Sequence, residues 1–320
     1  MKALVYAGLL ALMATGYGQA QDYPTKQVTI ITPGTPGSTS DLMPRVIADE
    51  LTPRLGKPVV VENRSGGSGL VSANSALGQP ADGHTLWFGT MGTTTINPFV
   101  MDDMPFDSLK AWTPIAEAGS MPLVLVVNPE KTPVKDLAEL IAYAKSHPGK
   151  VTFGSAGIGS SYAITMFLLG NEAGVQFTHV PYKGTAPAVS DVQAGELTVM
   201  VPDVGLVRSQ IESGKLRALA VTTAKRLDML PNVPTFKEAG YNIEVSLWYG
   251  FFVRSNTPEP IVKRLVSDLK VAIQSPNVKK RYEPLALIVG DKFGDDFVRY
   301  YRSEYERWGA LVKPLNIRAN

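Results

Sequence analysis

Cysteine is absent from the 320-residue chain, which removes disulfide frameworks, thiolate chemistry and a lipid-anchor cysteine behind an export signal. An excess of one charge is also missing. Thirty-one Lys and Arg stand against 29 Asp and Glu, a formal net charge of +2, so nothing calls for nucleic acid or an anionic membrane surface as partner. Histidine is scarce and scattered: His84 in a turn, His147 beside Pro148 at a helix end, His179 in a strand. Nucleophile elbow, Walker A loop, H-E-x-x-H pair and metal-spaced cluster are all lacking, so the groups an enzyme tunes for acid–base or nucleophilic work are not evident. Gly157-Ile158-Gly159 begins like a dinucleotide fingerprint but lacks the third glycine, so no cofactor is expected.

Long apolar runs are limited to one. Ala3 to Ala14 follows Lys2 and precedes Gly18-Gln19-Ala20, the charged end, apolar stretch and small-x-small site of a cleaved export signal. The run is shorter than the ~20 residues of a spanning helix. Residues 1–20 are therefore predicted to be removed, leaving a mature protein from Gln21 that is free in the periplasm.

What remains is 44% hydrophobic, with 29 Gly and 24 Pro punctuating Val, Ile and Leu-rich segments, the composition of an α/β protein. The organising stretch is Thr32 to Arg45, TPGTPGSTSDLMPR. It links the strand Val28 to Ile31 to a helix predicted from Leu42 to Leu55. Gly34 and Gly37 allow a sharp turn, and Ser38, Thr39, Ser40 and Asp41 are capping residue types. Free N–H groups at a helix start, ringed by small hydroxyls, suit an anion.

The design recurs. Val151 to Phe153 runs through Gly154-Ser155-Ala156-Gly157-Ile158-Gly159-Ser160-Ser161 into a helix from Tyr162 to Ala173, and Phe177 to Val180 runs through Pro181-Tyr182-Lys183-Gly184-Thr185 into a helix from Ala186 to Ala194. Thr90 and Met91 to Thr95 lie just past the third strand, Thr85 to Gly89, where open parallel sheets bind ligands. Between Arg226 and Gly240 a loop with a short helix is expected. A closing helix from Asp295 to Val312 carries Phe297, Tyr301, Tyr305, Trp308 and Val312 on one stripe, read as core packing.

Two apolar segments, near Ser120 to Leu125 and near Ser246 to Phe251, are expected to cross between two halves. The predicted fold is thus bilobed α/β, two doubly wound lobes joined by two crossings: residues 21–122 with 247–320 as lobe 1, and residues 123–246 as lobe 2. A cleft between them would be lined by the first loop on one side and the second and third on the other. Neutral donors around such a cleft suit holding a carboxylate more than transforming it.

Five blocks in order carry a family resemblance: Val60-Val61-Glu62-Asn63-Arg64, Pro80-Ala81-Asp82-Gly83-His84-Thr85-Leu86, His179-Val180-Pro181-Tyr182-Lys183-Gly184, Gly214 to Thr222 (GKLRALAVT), and Val233 to Gly240 (VPTFKEAG). Over essentially the whole mature sequence the chain resembles the extracytoplasmic solute receptors of tripartite tricarboxylate transporters, the Bordetella uptake type. The resemblance implies a type II periplasmic binding fold, working as a monomer, that closes on a small carboxylate and passes it to a two-component integral membrane transporter. It also implies ligand contacts from Gly37, Ser38, Thr39, Ser40 and Asp41, from Ser155, Gly157, Gly159, Ser160 and Ser161, from Gly184, Thr185 and Ala186, and from Thr90.

Two departures bear on the ligand. Gly34 follows Pro33 where the family commonly has Phe, and Ser38 replaces a glycine; Ala163 stands where a His often follows the glycine loop. A lost aromatic wall would widen the pocket, which suggests a bulkier solute such as an aromatic carboxylate, with Tyr182 or Trp248 as stacking partner. Two other outputs stay open at this level: a receptor that docks on a membrane sensor kinase, and a periplasmic enzyme built on the same fold.

Overall fold

Alternation decides the first sheet. Along β1 (Val28–Thr32) and β3 (Thr85–Thr90), Ile30, Leu86 and Phe88 pack on one face while Ile31 and Trp87 pack on the other, all buried, as the two-residue repeat of a strand covered on both sides requires. The computed structural model describes residues 23–318 except 156, 159 and 183; the export signal predicted over residues 1–20 lies outside them.

β1 leads through the first loop into α1 (Thr39–Leu55), which returns to β2 (Val59–Asn63) parallel to β1. After α2 (Leu70–Leu77), β3 joins the other side of β1, also parallel. The long strand β4 (Trp112–Pro122) leaves this sheet, and after Leu123 the chain continues as β5 (Val124–Val127) in a second one. There α3 (Leu137–Ser146), β6 (Thr152–Ser155), α4 (Ser161–Ala173), β7 (Thr178–Pro181), α5 (Thr185–Ala194), β8 (Val199–Met200), α6 (Val204–Glu212) and β9 (Arg217–Val221) follow. β10 (Ser246–Arg254) returns the chain to the first sheet, and α7 (Glu259–Ile273), α8 (Pro276–Tyr282), β11 (Ile288–Val289) and α9 (Asp295–Val312) finish it.

The six-stranded sheet runs β11-β4-β10-β3-β1-β2 and the five-stranded one β7-β6-β8-β5-β9. Both are mixed. β10 pairs antiparallel with β3 and β4, and β5 pairs antiparallel with β8 and β9, because each crossing strand enters its sheet against the βαβ direction.

Thr222 ties the two crossings together. Its N–H donates to Leu123 O at 3.0 Å and its carbonyl accepts from Val245 N at 2.9 Å. Its hydroxyl accepts from Leu123 N at 3.2 Å and donates to Val245 O.

The α9 stripe is core, with Phe297, Tyr301, Trp308 and Val312 each at most 1% exposed. Buried beneath it, Glu304 accepts from the indole N–H groups of Trp248 and Trp308. Sequence reading differs from the structure in a few places. The short helix expected between Arg226 and Gly240 is a series of turns. α1 begins three residues earlier than expected, because Thr39 to Asp41 already adopt helical geometry. A π-helical turn, Gly92–Ile96, follows β3 and was not foreseen. β11, an edge strand on β4, was missed for want of length.

Candidate functional site

Two adjoining cavities, about 340 and about 470 Å³, lie between the lobes and share Tyr162 and Tyr249 as walls. Tyr162 comes from the second lobe, at the start of α4, and Tyr249 from β10 of the first. These two phenol rings divide one cleft into two compartments.

The first loop shapes the larger compartment. Thr32 Oγ1 donates to Ser40 O and accepts from Gly34 N–H, drawing the loop back over the end of β1. A Cβ on Gly34 would stand 2.8 Å from Asp41 N and Ser40 C, so no side chain fits at this position. Ser38 Oγ and the backbone of Ser40 and Asp41 stand where a side chain at position 34 would begin.

Gly37, Ser38, Thr39 and Ser40 all line the larger cavity. Ser38 occupies the N-cap position of α1 without capping it, and its Oγ is buried with no partner. Asp41 is placed differently from its neighbours. It is 3% exposed and accepts from Gly37 N–H, Arg45 Nε and Asn63 Nδ2, each at 2.8 Å. Burial alone would raise its pKa, but the bonds from Arg45, Gly37 and Asn63 hold it below the usual carboxylate range. It lines neither cavity, and its bonds fix the loop that does.

The second loop splits likewise. Gly157, Ser160 and Ser161 line the smaller cavity, and Ser160 caps α4 by accepting from Ala163 N–H while donating to Gly157 O at 2.6 Å. Gly159 lies outside the described residues. Ser155 is fully buried and outside both cavity walls. Its hydroxyl donates to Gly157 O and lies 2.7 Å from His179 Nε2, whose ring stacks on Phe153. This hydroxyl–imidazole pair was not foreseen; partial burial lowers the His179 pKa, and neither residue lines either cavity.

From the third loop, Thr185 and Ala186 line the larger cavity, and Gly184 precedes them at the start of α5. Tyr182 lines neither cavity; its hydroxyl donates to the Asp191 carboxylate. A stacking role is at odds with that placement. Trp248 touches the smaller cavity from a fully buried position, its ring held among Phe297, Tyr300 and Tyr301. Thr90 does line that cavity, and its hydroxyl lies 3.0 Å from Thr93 Oγ1, which in turn donates to Ser68 O.

Among the lining residues that were not named as site residues, Ser68, Asn97, Tyr162, Asp203 and Tyr249 bring polar groups to the cleft. Asn97 donates to Ser68 O at 3.0 Å, joining the glycine-rich loop to the turn after β3. Asp203 stands between β8 and the start of α6, the same strand-to-helix position as the three loops, and that placement was the available signal. Tyr162 donates its hydroxyl to Asp203, and burial pushes the Asp203 carboxyl up to about 6. Burial also raises the Tyr162 and Tyr249 hydroxyls, with Ser40 as a side-chain partner of Tyr249. Among the described residues no group of three or more His, Asp or Glu could hold a metal, and no helix is long and apolar enough to cross a membrane.

Four helix starts, at Thr39, Ser161, Thr185 and Val204, thus converge on a cleft walled by small hydroxyls and two tyrosines, an arrangement that can hold an anion. Comparison with known proteins agrees with that chemistry. The family model described as "Tripartite tricarboxylate transporter family receptor" matches residues 43–317. The chain is 34% identical to the UPF0065 protein in the tcbD-tcbE intergenic region of a Pseudomonas species, over 99% of this chain and 95% of that protein. Among solved structures, R. palustris Rpa4515 with adipate superposes with a TM-score of 0.83 at 33% identity, covering 92% of this chain and 99% of that one. MatC from Rhodopseudomonas palustris with bound malate superposes at 0.80 and 30% identity, covering 91% and 100%.

Proposed function

The chain belongs to the tripartite tricarboxylate transporter receptor family, whose solved relatives have the bilobed periplasmic binding fold, and from that premise we propose that it is a periplasmic receptor and not an enzyme. It captures a small organic carboxylate by closing its lobes and delivers it, as a monomer, to a two-component integral membrane transporter. The lobes are residues 21–122 with 247–320 and residues 123–246, and residues 1–20 are the export signal removed before the receptor acts.

The carrying observation is the convergence of hydroxyl-ringed helix starts from both lobes on one cleft. Ser38, Thr39 and Ser40 face it from the first lobe, and Gly157, Ser160, Ser161, Thr185 and Ala186 from the second. Contacts of this kind form fully only when the lobes close, so binding itself shifts the population toward the closed state. Relatives with adipate and malate support a carboxylate as the anchored group. The rings offered to the solute are Tyr162 and Tyr249 rather than Tyr182, so an aromatic carboxylate would lie between those two.

Thermal shift against aliphatic and aromatic carboxylates tests the reading. At ligand concentrations ~100 times Kd, linkage supplies about 2.7 kcal/mol and raises Tm by several degrees. No shift with any carboxylate, in protein shown by mass spectrometry to carry no bound solute, overturns it.

A further inference from the structure

We propose that the turn formed by residues 283–287, directly after α8 in the first lobe, is a clasp: it seats on α6 of the second lobe and holds the cleft shut without the help of a solute. The inference goes beyond the receptor reading, which supplies only what closure is for.

Two observations set this turn against the other lobe. The first is Ala286, which is 3% exposed and buried in an apolar cluster with Val124, Val204, Val207, Val221 and Leu230. Every other described member of that cluster falls within residues 123–246. Leu285, one position earlier, packs against the core of the first lobe, so a single peptide bond bridges the two cores. Ala286 also has φ +56° and ψ +28°, the left-handed conformation that glycine adopts without strain. The turn is closed by bonds of its own, from Ala286 N–H to Glu283 O at 3.0 Å and from Leu287 N–H to Tyr282 O at 3.1 Å. A helix-ending position of this kind ordinarily takes glycine. Here it carries a methyl group, and the methyl group belongs to the second lobe's cluster.

The second observation is Gly205, the second residue of α6. Its backbone is helical, a conformation open to any residue, so the path of the chain does not require glycine. A Cβ there would stand 2.4 Å from Leu285 O and 2.9 Å from Leu285 C. Glycine at this position is what lets α6 and the turn touch.

The contact can also release. Arg226, beside the seam, pairs with Glu238 inside the second lobe, and among the described residues no ion pair or hydrogen bond crosses from residues 283–289 to residues 123–246. A cavity of about 350 Å³, walled by residues 226–229 on one side and by Lys279, Glu283 and residues 286–289 on the other, flanks the turn. Separation therefore exposes a small apolar area and strands no buried polar group. Gly205, Leu206 and Leu285 also wall the larger compartment of the cleft, so seating the turn and enclosing that compartment are one movement. A clasp of this kind keeps a closed fraction in the empty protein, which a solute then raises rather than creates.

Small-angle scattering and hydrogen exchange on the solute-free protein test this. Ala286→Asn keeps the left-handed turn, which asparagine tolerates, and brings an amide toward an apolar cluster. Gly205→Ala makes α6 a better helix and collides with Leu285 O. Both variants should show a larger radius of gyration than wild type, with faster exchange in peptides covering residues 204–212 and 283–289, while circular dichroism shows intact folding. Ile288→Thr, on the half-exposed edge strand beside the turn, should match wild type in both measurements. If one of the two clasp variants fails to fold, the other carries the test. Radii and exchange equal to wild type in the clasp variants, or an equal increase in Ile288→Thr, overturn the clasp. None of these measurements uses a solute, so that result leaves the receptor reading standing, and the lack of any carboxylate-induced thermal shift would leave the clasp standing.

Discussion

Tyr162 donates its hydroxyl to both carboxylate oxygens of Asp203, at 2.9 and 3.2 Å, on the wall of the interlobe cleft. Burial pushes the Asp203 pKa from 3.8 up to about 6, so the ionised form is a burden on the folded protein. A raised folded pKa contributes stability that is fully present below the unfolded value near 4 and is lost as pH rises through about 6. Tyr249 faces the same carboxylate from β10, and both phenols stay protonated over this range because burial raises them. Asp203→Asn keeps an acceptor for Tyr162 and removes the charge. At pH 7 it should stabilise the ligand-free protein by on the order of 3 kcal/mol. The gain should shrink toward zero by pH 4 in denaturant melts; a gain independent of pH would rule out the charge as its cause.

Asp41 is the opposite case. Its bonds to Arg45, Gly37 N–H and Asn63 depress its folded pKa, so its contribution is present above the ordinary carboxylate pKa and lost as pH falls through the lower folded value. Asp41→Asn turns an amide toward groups that are already donors. We expect a loss of about 2–3 kcal/mol at pH 7, together with weaker solute binding because the Gly37 to Ser40 segment loses its anchor. Urea melts at pH 7 and pH 3 check the first part, since wild type and variant should converge at low pH. An unchanged melting curve at pH 7 would mean the three bonds are dispensable.

Much of the fold was legible because it is written in local rules. α9 spans the bounds expected of it, Asp295 to Val312, and Asp136 caps α3 by accepting from Glu139 N–H, the role an Asp before a helix plays. The parallel pairing of β1 with β2 follows from strand–helix–strand order. The site was legible as loops and less so as side chains. Strand-to-helix loops announce themselves through Gly and Ser, but which hydroxyl faces the cleft depends on tertiary partners. Ser155 turns inward to His179, and Tyr182 turns to Asp191. Tyr249 and Asp203 reach the cleft only because β10 crosses back opposite the start of α6. The collision that forces glycine at position 34 arises between residues four and seven positions apart along a folded loop, which composition does not reveal.

Thr222 joins both crossing segments, with its hydroxyl accepting from Leu123 N and donating to Val245 O in a fully buried setting. Thr222→Val keeps the shape and strands both polar groups, each without water. The cost should be about 2–4 kcal/mol. In the proposed receptor the crossings serve as hinges, so the open state should also become easier to reach. Small-angle scattering of the ligand-free variant should show a larger radius of gyration than wild type; equal radii would confine the role of Thr222 to stability.

Gly69 follows Ser68, a residue of the smaller cavity's wall. Its φ is +92°, and a Cβ there would stand 2.2 Å from Thr93 Oγ1 and 3.3 Å from Thr93 Cβ and Cγ2. That hydroxyl lies 3.0 Å from Thr90 Oγ1 and donates to Ser68 O, so displacing it disturbs three residues that line the cavity. Gly67 also has positive φ, at +54°, but its Cβ would meet nothing nearer than 3.7 Å. Both Gly→Ala variants carry the same class of backbone penalty, about 1 kcal/mol, and only Gly69→Ala moves Thr93. We therefore expect Gly67→Ala to lower Tm by a few degrees with solute affinity near wild type, and Gly69→Ala to lose on the order of tenfold in affinity as well. Equal losses of affinity in the two would assign the effect to the shared backbone strain of the loop and remove Thr93 from the binding wall.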